Sequence, residues 1–139
     1  MADNPFNKYS TPPGLNHVGS YQVSGTPWLT GSASLAADGE DQIQFPSVTN
    51  NFTVINTGET ELRVTFASVA NAAVELKMHY VALPANKDSV TFNVKCKEVY
   101  VSNHDGSSAG SYSLFAELTH IPSARMYALS GSGINENSA

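Results

Sequence analysis

Four histidines are the residues of this 139-residue sequence best suited to binding a metal ion. A protein metal site usually needs two or more ligands at short spacing. No two of the histidines lie that close in the sequence; they are His17, His79, His104 and His120. His104 is followed by Asp105 and Gly106, a pattern typical of a turn in which the Asp side chain serves the backbone. We therefore expect no metal and no cofactor.

Acid–base and nucleophilic catalysis also lack a recognisable arrangement. Glu61, Glu75 and Glu117 lie beside Lys, Arg or Thr in alternating runs, which predicts solvated side chains and not a catalytic carboxylate pair. Residues 106–110 (GSSAG) match Gly-x-Ser-x-Gly, but they lie between a predicted turn and a predicted strand, without the helix that follows a nucleophile elbow, and the sequence has no phosphate-binding glycine loop. The single cysteine, Cys96, has no intrachain disulfide partner and is predicted to be a small buried residue. We expect no enzymatic activity.

Trp28 is the only tryptophan, and it lies close to Gly25 and Pro27. An exposed tryptophan in such a place could stack on a sugar ring, whereas a tryptophan that anchors a core or an interface is more common. Trp28 is thus a candidate partner-binding residue.

Alternating polar and apolar residues run through most of the chain, in short stretches separated by Gly, Pro, Asn and Asp. In residues 61–66, for example, Leu62, Val64 and Phe66 share one face of a strand. Roughly eight to ten strands at such spacing predict an all-β protein, an antiparallel β-sandwich of jelly-roll-like type. The residues expected in its core are Leu62, Val64, Phe66, Leu76, Met78, Phe92, Val94, Leu114 and Leu118.

Residues 1–19 are predicted to form an extended N-terminal arm. The arm has three prolines, which lack a backbone N–H and so do not suit a central strand. Its bulky residues Phe6 and Tyr9 are candidate anchors for a partner protein. Leu15 is a further candidate; it and Val18 are expected to pack near the domain and to set the direction in which the arm leaves it.

The rest of the chain is assigned to a β-sandwich domain, residues 20–129, and a flexible Gly/Ser-rich tail, residues 130–139. The net charge of −5 argues against a nucleic-acid partner, which would need a basic stripe. The first residues have neither the basic nor the apolar part of a secretory signal. No apolar run reaches the ~20 residues that span a bilayer, so we expect no membrane partner.

Three segments carry a resemblance to a known class of proteins: residues 14–25 (GLNHVGSYQVSG), 45–49 (FPSVT) and 94–101 (VKCKEVYV). The chain resembles small structural proteins of tailed bacteriophages, in particular marine and cyanobacterial phages. The resemblance implies a non-enzymatic capsid decoration (cement) protein that is made in the host cytoplasm and located on the capsid surface of the virion. It also implies a partner in the major capsid protein or other virion proteins, and a homo-oligomer on the particle.

Two other functions remain open. A tail, neck or fibre component would form a ring or a spike present in few copies per particle. A carbohydrate- or host-binding β-sandwich module would present several exposed aromatic residues on one face. The number of copies in a purified particle distinguishes the first alternative from shell decoration.

Overall fold

Two antiparallel four-stranded sheets make up the fold. The computed structural model describes residues 14–22, 24–66 and 80–127. The elements in these residues are α1 (Gly19–Gln22), β1 (Thr26–Leu35), β2 (Glu40–Gln44), β3 (Ser47–Asn56), β4 (Leu62–Thr65), β5 (Val81–Leu83), β6 (Ser89–Phe92), β7 (Glu98–Asn103), β8 (Gly110–Pro122) and a 3₁₀ helix (Ser123–Arg125).

The strand order is β1-β8-β3-β6 in the first sheet and β2-β7-β4-β5 in the second. Among the described strands, the chain crosses between the sheets after β1, β2, β3, β5, β6 and β7, whereas β4 and β5 pair with each other in the second sheet. This order is that of an eight-stranded jelly roll. The predicted all-β, jelly-roll-like antiparallel sandwich is confirmed.

Buried and exposed residues alternate along β8, and this alternation shows which face of the first sheet packs into the core. Tyr112, Leu114 and Ala116 are buried, whereas the intervening Ser113 and Phe115 are exposed. Because successive side chains of a strand point to opposite faces, one face of β8 enters the core and the other faces outward. β8 pairs with β1 on one side and with β3 on the other, so it lies inside the first sheet.

A chain of aromatic rings fills the middle of the core. Trp28 meets Phe45 edge-on, with ring centroids 5.2 Å apart, and Phe45 meets Phe52 at 5.9 Å. Phe52 stacks on Phe92 at 5.0 Å, and Phe66 contacts both of these rings edge-on. Such pairs contribute about 0.5–1.5 kcal/mol each beyond their buried area. These contacts join the two sheets.

Most of the predicted core residues within the described ranges are buried. The fully buried ones are Leu62, Val64, Leu114 and Leu118. Phe66 and Phe92 are half-buried against the same cluster. Leu76 and Met78 lie outside the described residues.

Val94 was predicted wrongly, because its side chain is 36% exposed. β6 ends at Phe92, and the chain leaves the sheet although the alternation in the sequence continues. The buried Thr49 explains the departure, since its Oγ1 donates to the carbonyl oxygen of Val94 (2.8 Å) and accepts from the N–H of Cys96 (3.2 Å). The Thr49 side chain thus holds residues 94–96 beside β3, together with a backbone bond from the Thr49 N–H to the Cys96 carbonyl oxygen at 3.0 Å.

A second, smaller cluster closes one end of the sandwich around the buried residues Val48, Ile121 and Met126. Leu15 and Tyr21 pack against it, and the Tyr21 hydroxyl donates to the carbonyl oxygen of Leu15 at 2.8 Å. Leu15, inside the segment predicted as an arm, therefore packs on the sandwich. Val18 was expected to pack there too, but its side chain is 64% exposed. Residues 1–13 and the predicted tail, residues 130–139, lie outside the described residues.

Candidate functional site

The three histidines in the described residues lie in different parts of the fold. His17 Nδ1 is 2.7 Å from Ser20 Oγ near α1, His104 is in the loop after β7, and His120 is exposed on β8. His79 lies outside the described residues. In the described part of the chain, no three His, Cys, Asp or Glu side chains come together as a group able to hold a metal ion.

Asp105 serves the loop in which it lies. Its Oδ1 accepts hydrogen bonds from the N–H groups of Ser107 (2.8 Å) and Ser108 (3.0 Å) and from the Ser107 hydroxyl (3.0 Å). These bonds lower the pKa of the Asp105 carboxyl, which is fully exposed. The arrangement is that of a turn stabilised by its own side chain.

Of the carboxylates considered as a catalytic pair, Glu61 and Glu117 lie at different sheets. Glu117 lies on the outer side of β8 and accepts a hydrogen bond from Asn51 Nδ2 at 3.1 Å. Glu61 is exposed at the start of the second sheet, directly before β4. Glu75 lies outside the described residues.

Cys96 is buried with no exposed area, as the sequence predicted. Burial raises the pKa of its thiol to about 11, although Thr49 Oγ1 lies only 3.4 Å from the sulfur. A thiol is nucleophilic only as the thiolate. Cys96 is therefore protonated at neutral pH and acts as a packing residue.

The four candidate partner-binding residues do not form one site. Leu15 packs in the small cluster at the end of the sandwich, whereas Trp28 packs in the main core. Trp28 is half-buried, with its ring against Phe45. Phe6 and Tyr9 lie outside the described residues.

The outer side of the first sheet has an exposed apolar centre that sequence patterns did not reveal. Leu29 of β1 is 73% exposed and lies directly opposite Phe115 of β8, which is 38% exposed. Phe115 in turn pairs with Thr53 of β3, and Thr53 pairs with Thr91 of β6. Leu29 and Phe115 thus form an apolar pair in a row that crosses all four strands.

Uncharged residues flank this pair on one side, and Glu117 lies in the row on the other side. The next row across the sheet is Gly31, Ser113, Ile55 and Ser89. Together these two rows of four residues are called the outer face below. Strands β1, β3, β6 and β8 carry one formal charge at pH 7, that of Glu117.

A shallow depression adjoins the outer face at the ends of β1 and β8. Its volume is about 460 Å³, and its lining includes Gly31, Ala33, Ser111 and Ser113. An added Cβ at Gly31 would lie 2.6 Å from the carbonyl oxygen of Tyr112, so a side chain there would disturb the backbone. The outer face therefore combines a ridge, Leu29 and Phe115, with an adjacent hollow.

The outer side of the second sheet is polar and charged. Glu40, Gln42 and Glu98 lie on its edge strand β2 and on β7. Burial, together with the charges of Glu98 and Glu40, raises the pKa of Tyr100. On β4, the Arg63 guanidinium lies 4.1 Å from the centre of the Tyr80 ring. The two sides of the sandwich therefore differ in chemistry.

A cavity of about 590 Å³ lies where β2 ends and β7 begins. Trp28 and Phe45 form an aromatic wall, and Gln44, Lys97 and Glu98 contribute polar groups. Of these residues, the sequence marked Trp28 alone as a candidate. The other lining residues come from three short segments, residues 44–46, 97–98 and 123–124, which are far apart in the sequence and share no short-range pattern.

Comparison with known proteins finds no matching family model and no similar curated protein. Among the described residues, no helix has the length and apolar character needed to cross a membrane.

Proposed function

We propose that this chain is a non-enzymatic structural protein of a phage particle, a decoration protein that binds the capsid surface and reinforces the shell. The observation that carries the proposal is the outer face, with Leu29 and Phe115 side by side, no charge in its two rows and one carboxylate, that of Glu117, in the row beside them. The centres of protein interfaces are enriched in aromatic residues and depleted in charge. The outer face has that composition.

The free-energy cost of removing polar groups from water favours the outer face, and not the outer side of the second sheet, as the surface that a partner covers. Burial of Thr53, Thr91 and Ser113 removes hydroxyl groups from water, which costs far less than the removal of ionised groups. The opposite side of the sandwich would bury Glu40, Glu98 and Arg63. The outer face is thus the surface that a partner covers at the lower cost.

The size of the face favours a repetitive partner. The two rows of the outer face lie within the length of β6, so four strands at ~4.8 Å spacing and four residues at ~3.4 Å give an area of about 260 Å². A stable interface between two proteins takes about 800 Å² from each partner. One copy would therefore bind weakly, and a shell offers many equivalent sites at which linked copies gain strength by avidity. The partner we infer is the major capsid protein.

Fold analogy supports the same role. Jelly rolls are common in viral capsid proteins and also occur in lectins. One fold serves many functions, so the argument rests on the outer face and not on the strand order.

The test adds purified protein to particles that lack the native copy and counts bound molecules by quantitative mass spectrometry. Leu29→Asp places a charge in the outer face, and Ala82→Asp places the same charge on an exposed residue of the second sheet. Both positions are exposed, so both variants should unfold at the same urea concentration as the wild-type protein. Leu29→Asp should weaken binding at least ~100-fold, equivalent to about 2.7 kcal/mol, and Ala82→Asp should bind as wild type does.

Two results would contradict the proposal. Equal binding by Leu29→Asp and wild type would exclude the outer face as the contact. Saturation at only a few copies per particle would assign the chain to the tail, neck or fibre and not to the shell.

A further inference from the structure

The cavity at the end of β2 has the form of a ligand site. Its lining combines Trp28 of β1, which contacts Phe45, with residues at the start of β7 and in the 3₁₀ helix. The volume of about 590 Å³ is within the range of ~300–1,000 Å³ typical of ligand pockets.

The lining combines an aromatic wall with both kinds of hydrogen-bonding group. Trp28 supplies the indole, and Gln44, Lys97, Glu98 and Ser123 supply an amide, an ammonium, a carboxylate and a hydroxyl. Of these groups, the ammonium only donates, the carboxylate only accepts, and the other two do both. A ligand for this cavity needs an apolar face and a perimeter of groups that both donate and accept.

The two charges in the lining are of opposite sign and belong to consecutive residues, Lys97 and Glu98. An anionic ligand would be repelled by Glu98 and a cationic ligand by Lys97. Gln42 Nε2 donates to Glu98 Oε2 at 3.3 Å, which orients the carboxylate at the rim. The lining therefore favours a neutral ligand rich in hydroxyl groups.

We propose that this cavity binds a neutral pyranose ring of a glycan. The C–H face of the sugar stacks on Trp28, and its hydroxyl groups exchange hydrogen bonds with Gln44, Lys97 and Glu98. The cavity is open to solvent, so we expect an affinity for a single sugar unit in the ~millimolar range. The site is separate from the outer face, and the inference does not rest on the decoration role.

The test begins with a glycan array. The biotinylated full-length protein is assembled on fluorescent streptavidin, so that multivalency compensates for weak single-site binding. The strongest glycan is then titrated in solution while Trp28 fluorescence is recorded; because the chain has one tryptophan, the signal reports on this cavity alone. We expect a saturable change in emission.

Two variants and a matched control test whether the glycan binds in this cavity. Gln44→Ala, at an exposed position, should weaken binding about tenfold, the equivalent of about 1.4 kcal/mol. Trp28→Leu should abolish glycan binding, measured by calorimetry. Asn93→Ala, an exposed residue after β6 that does not line the cavity, should leave it unchanged.

Three outcomes would overturn the inference. In the first, no glycan on the array binds the protein above the signal of streptavidin alone. In the second, the glycan binds Gln44→Ala and Asn93→Ala equally well. In the third, deletion of residues 128–139 shifts Trp28 emission without any sugar, which would assign the cavity to the chain's own C-terminal segment.

Discussion

Replacement of Asn56 by alanine should destabilise the protein more than any exposed substitution. Asn56 ends β3 in the first sheet and is completely buried. Its Nδ2 donates to the carbonyl oxygens of Thr60 (2.7 Å), Leu83 (3.1 Å) and Pro84 (3.1 Å), and its Oδ1 accepts from the N–H of Gly58 (3.0 Å). One side chain thus links β3 to β5 in the second sheet and to the loop before β4.

The expected magnitude follows from the groups left without partners. The amide group has two N–H donors, so it donates full hydrogen bonds to only two of the three carbonyl oxygens at any moment. Asn56→Ala therefore removes two donated bonds and one accepted bond. Each buried polar group left without a partner costs about 1–3 kcal/mol. Entry of water into the vacated space offsets part of that cost, and we expect a net loss of about 3–5 kcal/mol. That is a large part of the ~5–15 kcal/mol typical of a folded domain.

The assay is urea-induced unfolding followed by Trp28 fluorescence and by far-UV circular dichroism. Asn51→Ala is the matched control, because Asn51 is half-buried and makes one hydrogen bond, to Glu117 at 3.1 Å. The control should lose less than about 1 kcal/mol. If Asn56→Ala and Asn51→Ala lose the same free energy of unfolding, the Asn56 side chain does not hold the two sheets together.

Two further predictions concern Cys96 and the N-terminal segment. Burial raises the pKa of Cys96 to about 11, above its ordinary ~8.5, so its stabilising contribution is complete below about pH 8 and is lost as the pH rises to 11. Cys96→Ala should therefore lose less stability than wild type between pH 7 and pH 10 in urea titrations; equal losses would refute burial of the thiol. Deleting residues 2–13 should leave the melting temperature nearly unchanged, because the described packing begins at Leu15, and should weaken particle binding at least ~100-fold. A lower melting temperature would place those residues in the core, and full binding would exclude them as the contact.

Several strands could be recognised from the sequence because they alternate locally. Leu62 and Val64 in β4, and Leu114 and Leu118 in β8, lie in runs whose apolar residues recur at every second position. That period is a property of neighbouring residues, so it can be read without knowledge of the rest of the fold. It was enough to predict the sandwich.

Strand β1 shows where local patterns fail. It contains Pro27, Gly31 and several small polar residues, which are weak strand formers. It is a strand because it pairs with β8 along most of its length. Pro27 is tolerated since β1 is an edge strand, where one side of the backbone makes no ladder hydrogen bonds.

The sequence by itself determined the all-β class, the jelly-roll-like sandwich, the burial of Cys96 and most of the core. Only the tertiary structure decided which residues of distant segments meet. It places Leu29 beside Phe115, and it places Trp28, Gln44 and Lys97 around one cavity. The physical reason is that alternation fixes only which side of a strand a residue occupies. Register and strand order depend on pairing between distant segments, which no local period encodes.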